Sequence, residues 1–446
     1  MSAALAIWMN GERVGTWSVD RGSHRLSYDR TWLDSPRRRS LSLSLPITPS
    51  LEISGPVVAH YFDNLLPDSD RIRERIARRH RTKSTEVFEL LQAVGRDCVG
   101  AVQLLPEDVE PQGWNVVAGE PLDEHQVAEV LRATPSESVL GQVADDDLLR
   151  ISLAGAQEKA ALLFTDRGWH RPLGATPTTH ILKLPLGLVG GSRRVDLSDS
   201  IENEWLCAQI LYQLDLPVAP TELWRFEDQK ALVITRFDRS WEAGPRGRQW
   251  IARLPQEDFC QALGHPPSRK YEKDGGPGIA DCMRLLAGSA DGTDRQTFAL
   301  TQLAFWLMGA TDGHAKNHSI FLQRGDTYIT TPLYDVLSIL PYVGDGANQF
   351  RWRKVGPAMA LRSKNVHWHF HDIHARHWHG LAMRYGGAAV WEAMQGLVQR
   401  VGPALERIEG ALPGDFPGRT WEAIARGMRA QAAAFSSGLA GVRQTA

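Results

Sequence analysis

Along this chain the hydrophobic pattern shifts from mixed to helical. Residues 1 to about 60 alternate short β-type runs with turns, and helical and β-type stretches then mix up to about residue 257. From residue 258 onward helical spacing dominates, with one β-type interruption at about 319–335. A small mixed β/α part followed by a larger helical part points to an α+β fold. In the first part, Asn10-Gly11 sits between β-type runs and reads as a hairpin turn, since both residues accept positive φ. Residues 62–91 turn helical, and the acid-rich stretch 106–147 reads as a helical connector. Residues 151–164 read as strand, Gly-centred turn, strand; 180–185 as a short strand stopped by Pro185; and 201–214 as a helix. Residues 231–237 form a buried strand by length and β-branching, and the apolar run 300–310, which carries Thr301 and Gln302, forms a buried helix. Three segments are expected: an N-terminal subdomain at 1–147, an N-lobe at 148–257 and a helical C-lobe at 258–446.

Composition narrows the function classes. Fifty Lys plus Arg against 52 Asp plus Glu leave a net charge of -2, so the whole molecule is no electrostatic magnet for DNA. A local basic run does occur: Arg71, Arg73, Arg75, Arg78, Arg79, Arg81 and Lys83 are opposed only by Glu74. It reads as a solvated helix face, with binding of nucleic acid or an acidic partner as the other reading. Cys98, Cys207, Cys260 and Cys282 show no C-x-x-C spacing and read as reduced core residues of a cytoplasmic protein. The N-terminus has no basic n-region, and no apolar run approaches 18 residues, so no membrane partner is expected.

The residues with the clearest chemical pattern are Gly309-Ala310-Thr311-Asp312-Gly313-His314-Ala315-Lys316-Asn317, followed by Tyr334-Asp335. Asp312 and Asn317 have the Asp-x-x-x-x-Asn spacing of a kinase catalytic loop. A carboxylate there orients or accepts a substrate hydroxyl's proton. A neutral amide oxygen ligates Mg²⁺ without adding negative charge beside phosphates. A second carboxylate, Asp335, supplies the hard oxygen that Mg²⁺ prefers. The pair alone is common in turns and caps. The order of features adds weight: a Gly-containing turn at 152–159 whose amides could cradle phosphate, Lys183 on a short apolar strand, the connecting strand, the Asp-Asn loop, then Asp335. Glu202 and Glu204 are the candidates for an acidic partner of Lys183, each reading more readily as a surface charge.

No Gly-x-x-x-x-Gly-Lys-Ser/Thr, His-Glu-x-x-His or Gly-x-Ser-x-Gly occurs. Six of the 15 histidines fall at 367–379. On a helix His367, His371 and His374 would share a face and could bind a transition metal, but with no Cys or second acidic ligand close in sequence a solvated or phosphate-facing surface is the preferred reading. Asp274-Gly275-Gly276-Pro277-Gly278 reads as a plain connector, with a lid as the other reading, and most of the 15 tryptophans read as core.

At these residues the chain resembles the HipA family, toxin kinases of bacterial toxin–antitoxin modules. The resemblance runs over nearly the whole chain, through Leu41-Ser42-Leu43-Ser44-Leu45-Pro46, Phe62-Asp63-Asn64-Leu65-Leu66-Pro67-Asp68-Ser69, Val94-Gly95-Arg96-Asp97, Ala154-Gly155-Ala156-Gln157-Glu158-Lys159, Arg253-Leu254-Pro255-Gln256-Glu257-Asp258, Lys270-Tyr271-Glu272 and the Gly309 to Asn317 string. It implies a two-lobed protein-kinase-like fold with an extra N-terminal mixed β/α subdomain and a largely helical C-terminal lobe. It implies a serine/threonine-protein kinase that uses ATP and Mg²⁺, phosphorylates an aminoacyl-tRNA synthetase (glutamyl-tRNA synthetase in the best-known members), and so stops translation and causes growth arrest and persistence. The implied partners are a dimeric helix-turn-helix antitoxin of the HipB type and, through that complex, operator DNA.

By the same resemblance Asp312 is the catalytic base, and Asn317 and Asp335 are the Mg²⁺ ligands. Ala154, Gly155, Ala156, Gln157, Glu158 and Lys159 form the phosphate loop, and Lys183 holds nucleotide phosphates. Arg236 and Phe237 line the adenine-side hinge. His314 and Lys316 face the phosphates, and Tyr334 completes the nucleotide set beside Asp335. Ser152 matches the family's autophosphorylated serine; a phosphate there would repel those of ATP and shut the enzyme off. The loop departs from ordinary kinases in having one glycine where they have three, and Asp312-Gly313-His314 where they have His-Arg-Asp. No DNA contacts carry over to the C-terminal region. The alternatives are a catalytically silent kinase-like co-repressor, and a kinase for another synthetase or a small molecule.

Overall fold

The structure is a computed structural model that describes residues 3–135, 157–189, 194–244 and 247–442. The fold is α+β, as the change of period implies, but the chain does not divide at that change. It forms two compact units, each gathered from three stretches. Unit 1 comprises Met1–Leu184, Trp224–Lys270 and Ser319–Ile329; unit 2 comprises Pro185–Leu223, Tyr271–His318 and Thr330–Ala446.

Unit 1 opens with an antiparallel sheet in the order Glu52–Ser54, Ser23–Tyr28, Glu12–Asp20, Ala3–Met9, Gln103–Pro106. The first hairpin turns at Asn10 (φ 47°) and Gly11 (φ 80°), the two positive φ angles that a two-residue turn demands. Helices Pro56–Asp63 and Val87–Val94 cover one face, and their core centres on Trp17, stacked on Phe62 at 3.9 Å. A second sheet runs Thr221–Phe226, Gln229–Thr235, His180–Lys183, Lys159–Thr165, Gly168–Pro172, Gly119–Pro121. Helix Glu124–Ala133 packs on it through Val127, Ala128 and Leu131. The stretch read as a helical connector thus contributes an edge strand as well as a helix, because Gly119–Pro121 finds its partner Gly168–Pro172 far along the chain.

The basic run lies on helix Asp70–His80 and its C-terminal extension, and two of its arginines turn inward. Arg73 pairs with Asp63 at 2.8 Å, and Arg75 forms a two-pronged ion pair with Glu158. Near the centre of unit 1, Asp97 and Asp238 are buried among Arg236, Arg239 and Arg253. Burial alone would raise the Asp97 carboxyl. The guanidinium groups of Arg239, Arg253 and Arg236, with the Thr178 hydroxyl, outweigh burial and hold it well below the usual carboxylate range.

Unit 2 is a helical assembly. Helix Asp294–Met308, almost wholly buried as the apolar run 300–310 implies, packs against Gly387–Glu409 and Gly418–Ser437. Helix Ser200–Gln213 supplies Asn203, whose amide donates to the Ser338 carbonyl at 2.8 Å and accepts from the Ser338 amide at 3.0 Å. The Ser338 hydroxyl donates to the Met308 carbonyl at 2.5 Å, so the segment after Asp335 is fixed from two helices. All four cysteines are buried thiols outside any disulfide.

The histidine run is not one helix. His367 ends the strand Val366–His367, His371 lies in the short turn Phe370–Asp372, and His374 precedes helix Ala375–Tyr385. The expected shared face therefore does not exist. His367 instead stacks on His377 at 3.9 Å, and burial, reinforced by His367, Arg376 and His374, pushes His377 down to about 4. Among the described residues no group of three or more His, Cys, Asp or Glu is placed to hold a metal ion.

Candidate active site

Candidate residues fall in both units. In unit 1, Gln157 and Glu158, at the exit of the expected phosphate loop, are stitched to the strand that carries Lys183. The Gln157 amide donates to the Leu184 carbonyl at 2.6 Å, and the Leu184 amide donates to the Glu158 carbonyl at 3.3 Å. The Glu158 carboxylate is held from the other side by Arg75. Lys159 then enters its strand directly opposite Lys183 in the antiparallel register. Residues facing each other across a strand pair share one face of the sheet, so the two lysines project from the same face, and Lys183 is only 4% exposed. Ser152, Ala154, Gly155 and Ala156 lie outside the described residues.

The Arg236 guanidinium is committed to the buried network: it donates to Asp238 at 2.9 and 2.8 Å, to Thr178 at 2.8 Å and to the Cys98 carbonyl at 2.9 Å. This leaves the backbone, rather than the Arg236 side chain, as the part that could face an adenine. The neighbouring Phe237 ring meets Phe321 edge-on at 5.8 Å.

In unit 2, helix Asp294–Met308 ends at Gly309 in the left-handed region (φ 63°), and the chain turns sharply into the Asp-Asn loop. The loop closes on itself. The His314 amide donates to the Asp312 carbonyl at 2.8 Å, the Asn317 amide nitrogen Nδ2 donates to the same carbonyl at 2.8 Å, and the Asn317 backbone N–H donates to the His314 carbonyl at 2.9 Å. With Nδ2 spent inside the loop, the Asn317 side-chain oxygen is the group left to meet a cation. The Asp312 carboxylate is 46% exposed, while Lys316 and Asn317 are buried. His314 Nε2 lies 3.7 Å from Asp312 Oδ1. Tyr334 donates to the Lys316 carbonyl at 2.9 Å, tying the loop to the segment that carries Asp335. Asp335 itself has φ 59°, a left-handed backbone for a non-glycine residue and a form of strain that recurs at functional sites.

Two features lie beyond the sequence reading. An ideal Cβ on Gly313 would stand 2.5 Å from Cδ2 and Cε2 of Phe305, so the glycine between Asp312 and His314 is a matter of space. The Tyr271 hydroxyl donates to Asp312 Oδ1. The only signal for Tyr271 was its place in the string Lys270-Tyr271-Glu272, which carried the resemblance without a role. Behind the loop, burial and then the charge of His314 push His318 down to about 3, so it stays neutral against Phe298 and Phe305.

The architecture is that of HipA-like proteins, and the chain belongs to that family: residues 5–105 match the HipA N-terminal domain and residues 151–407 the HipA-like C-terminal domain. It is 35% identical over 344 residues to the Sinorhizobium fredii protein named "Putative kinase Y4mE", covering 76% of this chain and 78% of that one. It is 26% identical over 362 residues to the serine/threonine-protein kinase toxin HipA of Shewanella oneidensis, covering 74% and 73%. Its fold is similar to that of a chain in the solved structure of the Shewanella oneidensis MR-1 toxin–antitoxin system HipA, HipB and its operator DNA complex, with a TM-score of 0.79, 99% of both chains covered and 21% identity. Among the described residues no helix is long and apolar enough to cross a membrane.

Proposed function

We propose that this chain is an ATP- and Mg²⁺-dependent serine/threonine-protein kinase acting as the toxin of a toxin–antitoxin pair. The observation that carries this reading is the closed loop at 312–317, which leaves the Asp312 side chain half-exposed and commits the Asn317 amide nitrogen, not its oxygen, to the loop. The donor set fits the group it would hold: Asn317 and Asp335 offer hard oxygens of the kind Mg²⁺ prefers. Bound there, Mg²⁺ would offset the charge of the nucleotide phosphates. Within unit 1, Lys159 and Lys183 are the phosphate-binding residues of this reading, and within unit 2, His314 and Lys316 are. Tyr334 supports that loop from beside Asp335, and Phe237 with the backbone of Arg236 receives the adenine. Asp312 orients the acceptor hydroxyl and takes its proton as the γ-phosphoryl leaves ADP. Most of the barrier reduction in such a site comes from positioning and charge.

The acceptor, on this reading, is a serine of an aminoacyl-tRNA synthetase, with glutamyl-tRNA synthetase the first to test. Its phosphorylation would halt translation and arrest growth. Ser152 is the autophosphorylation site that turns the enzyme off. A HipB-type antitoxin dimer restrains the toxin, and the pair binds operator DNA. Support comes from the family match and from the Shewanella oneidensis complex, whose components are HipA, HipB and operator DNA.

Incubation of the purified chain with radiolabelled ATP, Mg²⁺ and candidate synthetases tests the reading. Label enters a synthetase serine, mapped by mass spectrometry, with wild type and not with Asp312→Gln. Equal labelling by the two proteins, or none by wild type on itself or any synthetase, overturns it.

A further inference from the structure

The turn Asp274-Gly275-Gly276-Pro277-Gly278 reads in sequence as a connector, yet in unit 2 it is built as a brace. The Tyr271 carbonyl accepts from the Asp274 amide at 3.1 Å and from the Gly276 amide at 3.0 Å, with Gly275 in the left-handed region at φ 84°. Glu272, whose side chain is 8% exposed, is gripped from three directions. It accepts from the Ala360 amide at 2.7 Å and from Arg362 Nε and Nη2 at 3.0 and 2.5 Å. Its carboxylate also fills the space where a side chain on residue 278 would go: a Cβ on Gly278 would stand 2.5 Å from the Glu272 carboxyl carbon. Tyr271 is therefore held at its backbone by the turn and through its neighbour by the short hairpin that contains Arg362.

What this bracing presents is one hydroxyl. Tyr271 donates to Asp312 Oδ1, and its ring meets the His314 ring edge-on at 4.8 Å. A carboxylate that turns freely about its last torsion offers its two oxygens interchangeably. A fixed phenol on Oδ1 removes that freedom and holds the half-exposed group in one orientation toward an acceptor hydroxyl. The phenol also stabilises the charged carboxylate relative to its acid.

We propose that Tyr271 is a positioning residue of the phosphoryl-transfer site, locking Asp312 through Oδ1 so that its carboxylate meets the acceptor hydroxyl in one orientation, with Glu272 and the glycine turn as its support. This rests on the kinase reading above. It names a residue outside the Asp-Asn loop that sets how well that loop works.

The test compares wild type, Tyr271→Phe and Glu272→Gln as full-length chains, with ATP, Mg²⁺ and casein as a serine-bearing probe, reading kcat, KM for ATP and the pH profile. For Tyr271→Phe, kcat falls about 10- to 100-fold, the worth of one hydrogen bond to a charged group, while KM for ATP is unchanged. The acid limb of its kcat profile moves to higher pH, since the carboxylate has lost a donor. A merely structural role would move the melting temperature but not that limb. Glu272→Gln, which weakens the brace and keeps the phenol, shows a smaller loss of kcat and an unmoved limb. Wild-type turnover by Tyr271→Phe with an unmoved limb overturns the inference while leaving the kinase reading standing. Faster turnover by Tyr271→Phe also overturns it, because the hydroxyl would then be blocking the acceptor's place. No transfer by wild type to casein or to itself overturns the kinase reading, and the inference with it.

Discussion

Replacing Gly313 by Ala adds one methyl group at the centre of the catalytic loop. That methyl would lie 2.5 Å from two carbons of the Phe305 ring, where ordinary contact begins at 3.4 Å, so about 1 Å must be absorbed. Phe305 is 3% exposed, lies beside His318 and belongs to the buried helix beneath the loop, so the ring has little room to yield. The loop moves instead. Overpacking of this kind costs about 1–3 kcal/mol. Its larger effect falls on Asp312, the next residue, because a misplacement of about 1 Å at a reacting group costs on the order of 100-fold in rate. Gly313 is not among the glycines with positive φ, so the backbone itself tolerates alanine and the whole effect is steric. A second substitution can therefore relieve it. Gly313→Ala is expected to lose about 100-fold in kcat for phosphoryl transfer with a modest fall in melting temperature, and Gly313→Ala with Phe305→Leu recovers much of the rate. Full activity in the single variant, or no recovery in the double, would refute the reasoning.

Two further predictions concern unit 1. Burial raises Glu257 from its ordinary 4.5 to about 8, against the opposing hydrogen bond from the Leu43 amide at 2.9 Å. The folded chain then keeps a proton that the unfolded chain has released. The stability this provides is complete below the unfolded value and is lost as pH rises toward and through 8. At about 1.4 kcal/mol per pH unit, the loss by pH 7 is at most about 3 kcal/mol. Glu257→Gln, which cannot ionise, is expected to melt progressively higher than wild type as pH rises from 5 to 8, read by calorimetry; parallel curves would contradict the assignment. Asp97→Asn removes the carboxylate that Arg236, Arg239 and Arg253 share. Breaking a buried charge network this way costs about 3–5 kcal/mol, so the melting temperature drops by about 10 °C or the chain fails to fold, and an unshifted transition would show the network to be dispensable.

What could be read from the sequence was local. The Asn10-Gly11 turn follows from two residues that tolerate positive φ, the helix Asp294–Met308 from its apolar run, and the strand Gln229–Thr235 from its β-branched residues. The close relation of Asp312 and Asn317 follows from a short spacing within one loop. What could not be read depends on partners distant in sequence. Arg75 turns inward because Glu158, 83 residues on, is there to receive it. Gly119–Pro121 is a strand because Gly168–Pro172 offers it an edge. The three-stretch make-up of each unit has no local signature at all. The histidine run failed for a different reason. Its spacing fits a helix, but the chain breaks into strand, turn and helix across it, and spacing alone does not choose between these.

The departures from local rules are themselves informative, because a chain under no functional demand would have no reason to keep them. Lys159 and Lys183, two like charges, are registered opposite each other across two strands. Asp335 holds a left-handed backbone that glycine would adopt with less strain. Gly313 gives up the conformational restraint of a side chain in a loop where Phe305 leaves no room for one. Each has a ready explanation if the chain must bind a polyanion and a divalent cation while placing one carboxylate accurately. On the proposed function the two lysines would meet phosphate and Asp335 a metal, and the crowded glycine lets Asp312 stay where Tyr271 holds it. No two of these positions have a common structural cause within the core, so a single functional cause accounts for them with fewer assumptions than three separate packing accidents.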